Sequence, residues 1–191
     1  MSPRRASPLA LEFILLDLVD QKPRHGYEIY KELIRLEGIG LIWRLNQSQL
    51  YALLEKLETQ GLLEGQVLPG DNRPDRREFK LSPPGKTQLE EWADLPVESQ
   101  RFMRQEFMAK LHHVYRLDPG PRTTRLIDRQ KANCLRWETI LLLEMENTLP
   151  GHEFSCAVLD YRLRQVRATR DWLDELPEIL TDEGGDTSES I

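Results

Sequence analysis

The stretch NQSQLYALLEKLETQG, residues 46–61, is closed at both ends by its own residues and runs straight into strand-like sequence, a combination that leaves few folds open. Asn46 followed three residues later by Gln49 reads as a reciprocal helix cap, and Leu50, Leu53, Leu54 and Leu57 share one face. Gly61 stands where a left-handed C-terminal cap belongs. Directly afterwards, LLEGQVL at 62–68 and RREFKLS at 76–82 read as two short strands. The loop between them, PGDNRPD, is longer than a two-residue turn, so its tip projects.

Upstream, Ser7 and Pro8 open a helix predicted to run to about residue 20, which the Lys22-Pro23 pair breaks. HGYEIYKELIRL at 25–36 carries Tyr27, Ile29, Tyr30, Leu33, Ile34 and Leu36 near the 3.6 period, a second helix ending at Gly38 and Gly40. Three helices and then a hairpin with a basic tip is the order of a winged helix-turn-helix. After Pro83, Pro84 and Gly85 a helix of about 85–93 leads to Leu95-Pro96, the best domain boundary in the chain.

Beyond it the pattern gives three amphipathic helices. Met103, Phe107, Leu111 and Val114 mark the first, at about 98–117. Leu126, Ile127, Cys134, Trp137, Ile140, Leu141 and Met145 mark the second, at 122–148. Phe154, Val158, Tyr161, Val166, Trp172 and Leu176 mark the third, at 152–176. These faces exceed what one small core needs, so part of them is expected to meet a second subunit, with Met103, Phe107, Leu111, Trp137, Leu141, Tyr161 and Trp172 as candidates. The fold class is thus mainly α with a small β-hairpin: a winged helix-turn-helix domain followed by a three-helix C-terminal dimerisation domain. The divisions expected are a flexible basic arm at 1–7, the winged helix at 8–95, the helical dimerisation or sensor domain at 96–180, and a disordered acidic tail at 181–191.

Composition narrows the classes. A chain of 191 residues with 39% hydrophobic and 30% charged residues can bury a real core. Its apolar run LALEFILLDLV at 9–19 is broken by Glu12 and Asp17, which reads as a buried helix and not as a membrane span or leader, so the expected location is the cytoplasm. Cys134 and Cys156 have neither disulfide nor zinc spacing. His112 and His113 are neighbours on a helix, pointing about 100° apart, so they do not chelate together. No nucleophile elbow, phosphate-binding glycine loop, HExxH or paired-carboxylate motif is present, and the expectation is no enzyme, no metal and no cofactor. The net charge of -6 does not favour nucleic acid, so any such function rests on local patches.

Several motifs together resemble the PadR family of transcriptional regulators. They are His25-Gly26-Tyr27-Glu28-Ile29; Ser48-Gln49-Leu50-Tyr51 with Leu53 and Leu57-Glu58; Gly61-Leu62; and Arg73-Pro74 with Arg76-Arg77 and Leu81-Ser82 up to Gly85. The match spans about 9–93 in order and spacing. More loosely, RQEFMAKL at 104–111 is similar to the opening helix of the larger C-terminal domain of one branch, and Trp172-Leu173 to its close. Asn72 replaces a glycine common before the Arg-Pro pair, and Asp71 and Asp75 place carboxylates within the basic tip.

The resemblance implies a homodimer whose two winged helices read a palindromic operator on double-stranded DNA, usually as a repressor, and in some relatives a response to phenolic acids or other small aromatics. Gln47, Ser48 and Gln49 are suited to base edges, since amides present donor and acceptor together and a hydroxyl either, or else they only cap the helix. Tyr51 either packs or reaches a phosphate. Arg73, Arg76, Arg77 and Lys86 are candidate phosphate contacts. Lys56 is another, or a solvated lysine. Gly26 and Tyr27 open the second helix, where free N–H groups favour a phosphate, or are a turn and a core residue. Trp137 is the candidate for a small aromatic effector, against ordinary core packing. A reading of another class is a protein-interaction adaptor built on a winged helix that does not bind DNA.

Overall fold

The computed structural model describes residues 10–36, 38–69 and 76–182. The basic arm with Arg4 and Arg5, the wing tip with Arg73, Asp71 and Asp75, and the tail beyond 182 lie outside the described residues. The chain divides into two units, one of Met1–Leu95 with Arg101–Leu117, the other of Pro96–Gln100 with Asp118–Ile191.

In the first unit, α1 (Ala10–Gln21) is buried on every face from Glu12 to Val19. A helix hydrophobic all round belongs at a centre, and the other elements surround it. Strand β1 (Arg24–His25) is followed by α2 (Gly26–Arg35), a short α3 (Ile39–Ile42) and α4 (Gln47–Thr59). Strands β2 (Leu63–Leu68) and β3 (Arg76–Leu81) then form the wing, and α5 (Pro83–Asp94) completes the sequence to the boundary. The sheet has three antiparallel strands in the order β1-β3-β2, with Arg24 opposite Phe79 and Gly65 opposite Phe79 on the other side. The expected two-stranded hairpin thus gains β1, a two-residue strand too short to show a period. Arg24 is buried there, its Nε donating to the Leu18 carbonyl at 2.9 Å.

Ser82 starts α5: its Oγ accepts from Gly85 N–H at 3.0 Å and donates to the Gly61 carbonyl at 2.6 Å, tying the end of β3 to the end of α4. Gly85 is required by space. A Cβ there would collide with the Leu62 carbonyl oxygen, a backbone atom that cannot turn aside.

The segment Gln100–Phe102 is a 3₁₀ turn, and Met103–Phe107 a π-helical turn before α6 (Met108–Leu117). The sequence predicts one continuous helix with the C-terminal part. Instead Arg101–Leu117 groups with the first unit, α6 packing on α1 and α5 and the π-helical turn on α1; Phe107, Ala109 and Val114 are fully buried and Met103 and Leu111 nearly so. Buried Lys110 donates to the Leu95 carbonyl at 2.7 Å and lies over the Trp92 ring, which itself stacks on Phe13 at 4.1 Å.

The second unit is a hairpin of α7 (Pro121–Glu146) and α8 (Glu153–Asp182). Leu126, Ile127, Cys134 and Leu141 on α7, with Leu159, Leu163, Val166, Leu173 and Leu176 on α8, are its buried apolar residues. Gln130 and Asn133 are buried too, holding the backbone of Val97: its N–H donates to Gln130 at 2.7 Å and its carbonyl accepts from Asn133 at 3.0 Å. Glu138 accepts from Arg167 at 2.7 Å and Arg170 at 2.6 Å. Burial pushes the Cys134 thiol up to about 11, which leaves it inert at neutral pH.

Candidate nucleic-acid interface

The N-terminus of α4 is built by its cap. Asn46 Oδ1 accepts from Gln49 N–H at 2.9 Å and the Gln49 side-chain oxygen accepts from Asn46 N–H at 3.1 Å. At the other end Gly61, at φ 73°, donates to the Glu58 carbonyl and Leu62 N–H to that of Leu57, closing the helix. Between the caps, Leu50, Leu54 and Leu57 are fully buried and fix which face is outward. Gln47, Ser48 and Gln49 are exposed. Gln47 and Ser48 make no side-chain hydrogen bond among the described residues, whereas the Gln49 carbonyl is engaged in the cap and leaves its NH₂ to spare.

Tyr51 is 42% exposed and packs against the first residue of α2. A Cβ built at Gly26 would stand 2.5 Å from Tyr51 Cε1 and 3.2 Å from its hydroxyl, so only glycine lets the ring lie there. His25 N–H donates to the Glu28 carboxylate at 3.1 Å, occupying one of the donors at the start of α2. Tyr27 is half exposed rather than core, with Lys31 Nζ 4.8 Å from its ring centre.

The candidate cations separate into two groups. Lys56 pairs at 2.6 Å with Glu12, a carboxylate buried in α1, and Arg77 pairs at 2.6 Å with Glu58. Both are engaged within the protein. Arg76 is exposed and has no partner among the described residues, and Lys86 is exposed with only Asp20, at 4.0 Å, near it. Lys31 on α2 and Arg44, two residues before the Asn46 cap, are exposed cations that the sequence reading passed over. The signal available for Arg44 was its position, just ahead of a capped helix.

The predicted dimer residues fall in different places. Met103, Phe107 and Leu111 are buried by the chain itself, on a segment that groups with the first unit. Leu141 is buried within the α7–α8 hairpin, Trp137 and Trp172 are half-buried, and Tyr161 is 61% exposed. Sequence reasoning passed over the apolar residues most exposed on this unit, Leu149 at 69% and Leu135 and Leu143 at 52% each; Phe154, at 83%, it had placed on the third helix's face.

A different ionic cluster sits in the first unit. Asp17, fully buried on α1, accepts from His113 Nδ1 at 2.6 Å and from Arg116, with His112 Nδ1 3.2 Å from its other oxygen. Burial alone pushes the Asp17 carboxyl up, but these three donors together hold it well below the usual carboxylate range. His113 Nε2 lies 3.8 Å from Glu90. No group of three or more metal-ligating side chains able to hold an ion occurs among the described residues.

The model of the transcriptional regulator PadR-like family matches residues 15–91, from the middle of α1 into α5. Over those residues the chain is similar to the PadR-like family of transcriptional regulators. The chain is 23% identical over 189 residues to the probable transcriptional regulator Rv1176c of Mycobacterium tuberculosis, covering 90% of this chain and 98% of that one. It is 24% identical over 104 residues to the negative transcriptional regulator PadR of Bacillus subtilis, covering 54% of this chain and 56% of that protein. The crystal structure of Bacillus subtilis PadR in complex with operator DNA aligns over 89% of this chain and 98% of that one, at 20% identity and a TM-score of 0.43. No helix among the described residues is long and apolar enough to cross a membrane.

Proposed function

We propose that this PadR-like regulator is a homodimeric repressor that reads a palindromic DNA operator with the first turn of α4. The observation that carries the reading is that Gln47 and Ser48 stand exposed at the start of a helix capped by Asn46 and anchored by three fully buried leucines. Neutral hydrogen-bonding side chains on a rigid helix end suit base edges in the major groove. Arg76, Lys86, Lys31 and Arg44 supply the phosphate contacts, with Arg73 at the wing tip beyond the described residues and the Tyr51 hydroxyl and Tyr27 beside them. The exposed residues of the α7–α8 hairpin form the homodimer face, and a small aromatic effector bound at Trp137 shifts the equilibrium away from the operator-binding arrangement. Unchanged fluorescence and operator affinity across a panel of aromatic acids would remove the effector.

The test is selection of bound fragments from genomic DNA, with affinity then measured across a salt series. Affinity should fall steeply with salt, and Arg76→Gln should flatten that slope by about one. Gln47→Ala should change which fragments are selected while leaving the slope alone. The net charge of -6 favours the adaptor reading instead, and failure to retard any fragment at low salt would decide for it.

A further inference from the structure

Arg77 is held at several points. Its Nη2 lies 2.7 and 2.6 Å from the two carboxylate oxygens of Glu58, which reaches across from the last turns of α4. Its guanidinium carbon stands 5.7 Å from the centre of the Phe79 ring, a residue that is itself buried. The pair crosses β2 at Gly65, where a Cβ would stand 2.6 Å from Glu58 Oε1 and 2.8 Å from Arg77 Nε. A strand side chain, a helix side chain and a gap left by a missing side chain therefore meet at one place. Adjacent residues of a strand point to opposite faces, so Arg76 is turned the other way.

We propose that Arg77 is a positioning residue: with Glu58 and the Gly65 notch it fixes the wing against α4, so that helix and wing meet DNA in register. This rests on the DNA-reading role proposed for α4. A guanidinium held on a carboxylate must release it before it can neutralise a phosphate, which assigns the backbone contact of this strand to Arg76. An ion pair this exposed adds little stability by itself, so its effect is on geometry.

Four variants separate a strut from a phosphate contact: E58Q, R77Q, the double E58Q/R77Q, and the exchanged pair E58R/R77E. Each is measured by thermal unfolding without DNA and by affinity, across a salt series, for a duplex selected from genomic DNA and a random duplex of equal length. For a strut, each single substitution weakens the selected duplex about tenfold and leaves the random duplex and the salt slope unchanged. The double is then no worse than either single, and the exchanged pair recovers most of the loss. Gly65→Ala, which displaces only side-chain ends, gives a weaker form of the same result.

The proposal is overturned if R77Q weakens both duplexes alike and flattens the slope by about one while E58Q tightens both, for Arg77 is then a phosphate contact and Glu58 its competitor. If the wild-type protein selects no duplex, the DNA-reading role of α4 falls separately. Amide hydrogen exchange of β3 in the free protein then decides the strut: faster exchange in E58Q and R77Q that the exchanged pair reverses keeps it, and unchanged exchange removes it.

Discussion

The first unit and the α7–α8 hairpin use their apolar residues differently. In the first, α1 is enclosed from Glu12 to Val19, and Leu50, Leu54, Leu57 and Leu89 reach zero exposure within a single chain. The hairpin buries a narrow stripe and leaves Leu135, Ile140, Leu143, Leu149, Phe154 and Tyr161 more than half exposed. Apolar patches of this kind mark an interaction surface. The first unit has its own exposed apolar residues, Leu41 at 84% among them, but they stand beside a closed core. On the hairpin the exposed residues are the stripe proposed above to meet a second copy of the chain.

The largest effect that would break this contrast comes from charging the hairpin face. Val158→Glu with Tyr161→Glu should convert a species of twice 22.4 kDa to one of 22.4 kDa in light scattering at micromolar concentration. Operator affinity should fall with it by about a hundredfold or more, since two linked half-sites are lost. A wild-type chain that scatters as a monomer would make the exposed stripe a surface for some other molecule.

Next in size is Asp17→Asn in the first unit, which should cost about 3 kcal/mol at neutral pH by leaving buried donors without a full charge opposite them. The sign with pH comes from the depressed folded-state value. Such a carboxylate stabilises above its unfolded pKa, near 4, and its contribution is lost as pH falls through the lower folded value. Urea midpoints of wild type and variant should therefore differ most near neutral pH and draw together progressively as pH falls below about 4, closing only towards the depressed folded-state value. A gap that persists in acid would assign the effect to packing.

Smaller effects sharpen where the first unit is tightest. Gly26→Ala drives a methyl into the Tyr51 ring and should cost about 1–3 kcal/mol in chemical denaturation, with Tyr51→Ala in the same chain relieving most of it. Smallest is Asn46→Ala, about 1 kcal/mol, from loss of one reciprocal cap on α4. Independent losses for Gly26→Ala and Tyr51→Ala would mean that the ring and the glycine do not share that space.

Much of the first unit could be read from the chain, because α4 and the wing are specified by local chemistry: a cap at Asn46, a glycine at Gly61, alternation at 76–82. The family resemblance placed the same residues. What escaped the reading depends on distance in sequence. Lys56 finds Glu12 44 residues away, and Arg77 finds Glu58 19 residues away, so which candidate cations are engaged has no local signature. The stripe of Met103, Phe107 and Leu111 announces burial but not with which unit its segment groups, and that is the first. Helix α3 and strand β1, at four and two residues, are shorter than any period can register.

Glu12 and Asp17 look like blemishes in an otherwise oily helix, five positions apart and both sealed from water. Replaced by leucine, they would make α1 greasier and would erase its two buried marks of position. A cylinder that is hydrophobic all round can slide or turn among its neighbours at little loss. Two carboxylates that must each find a particular base, Lys56 on one helix and the His113–Arg116 pair on another, cannot. They act as a key with two teeth, giving up some raw stability so that the helix seats in one way.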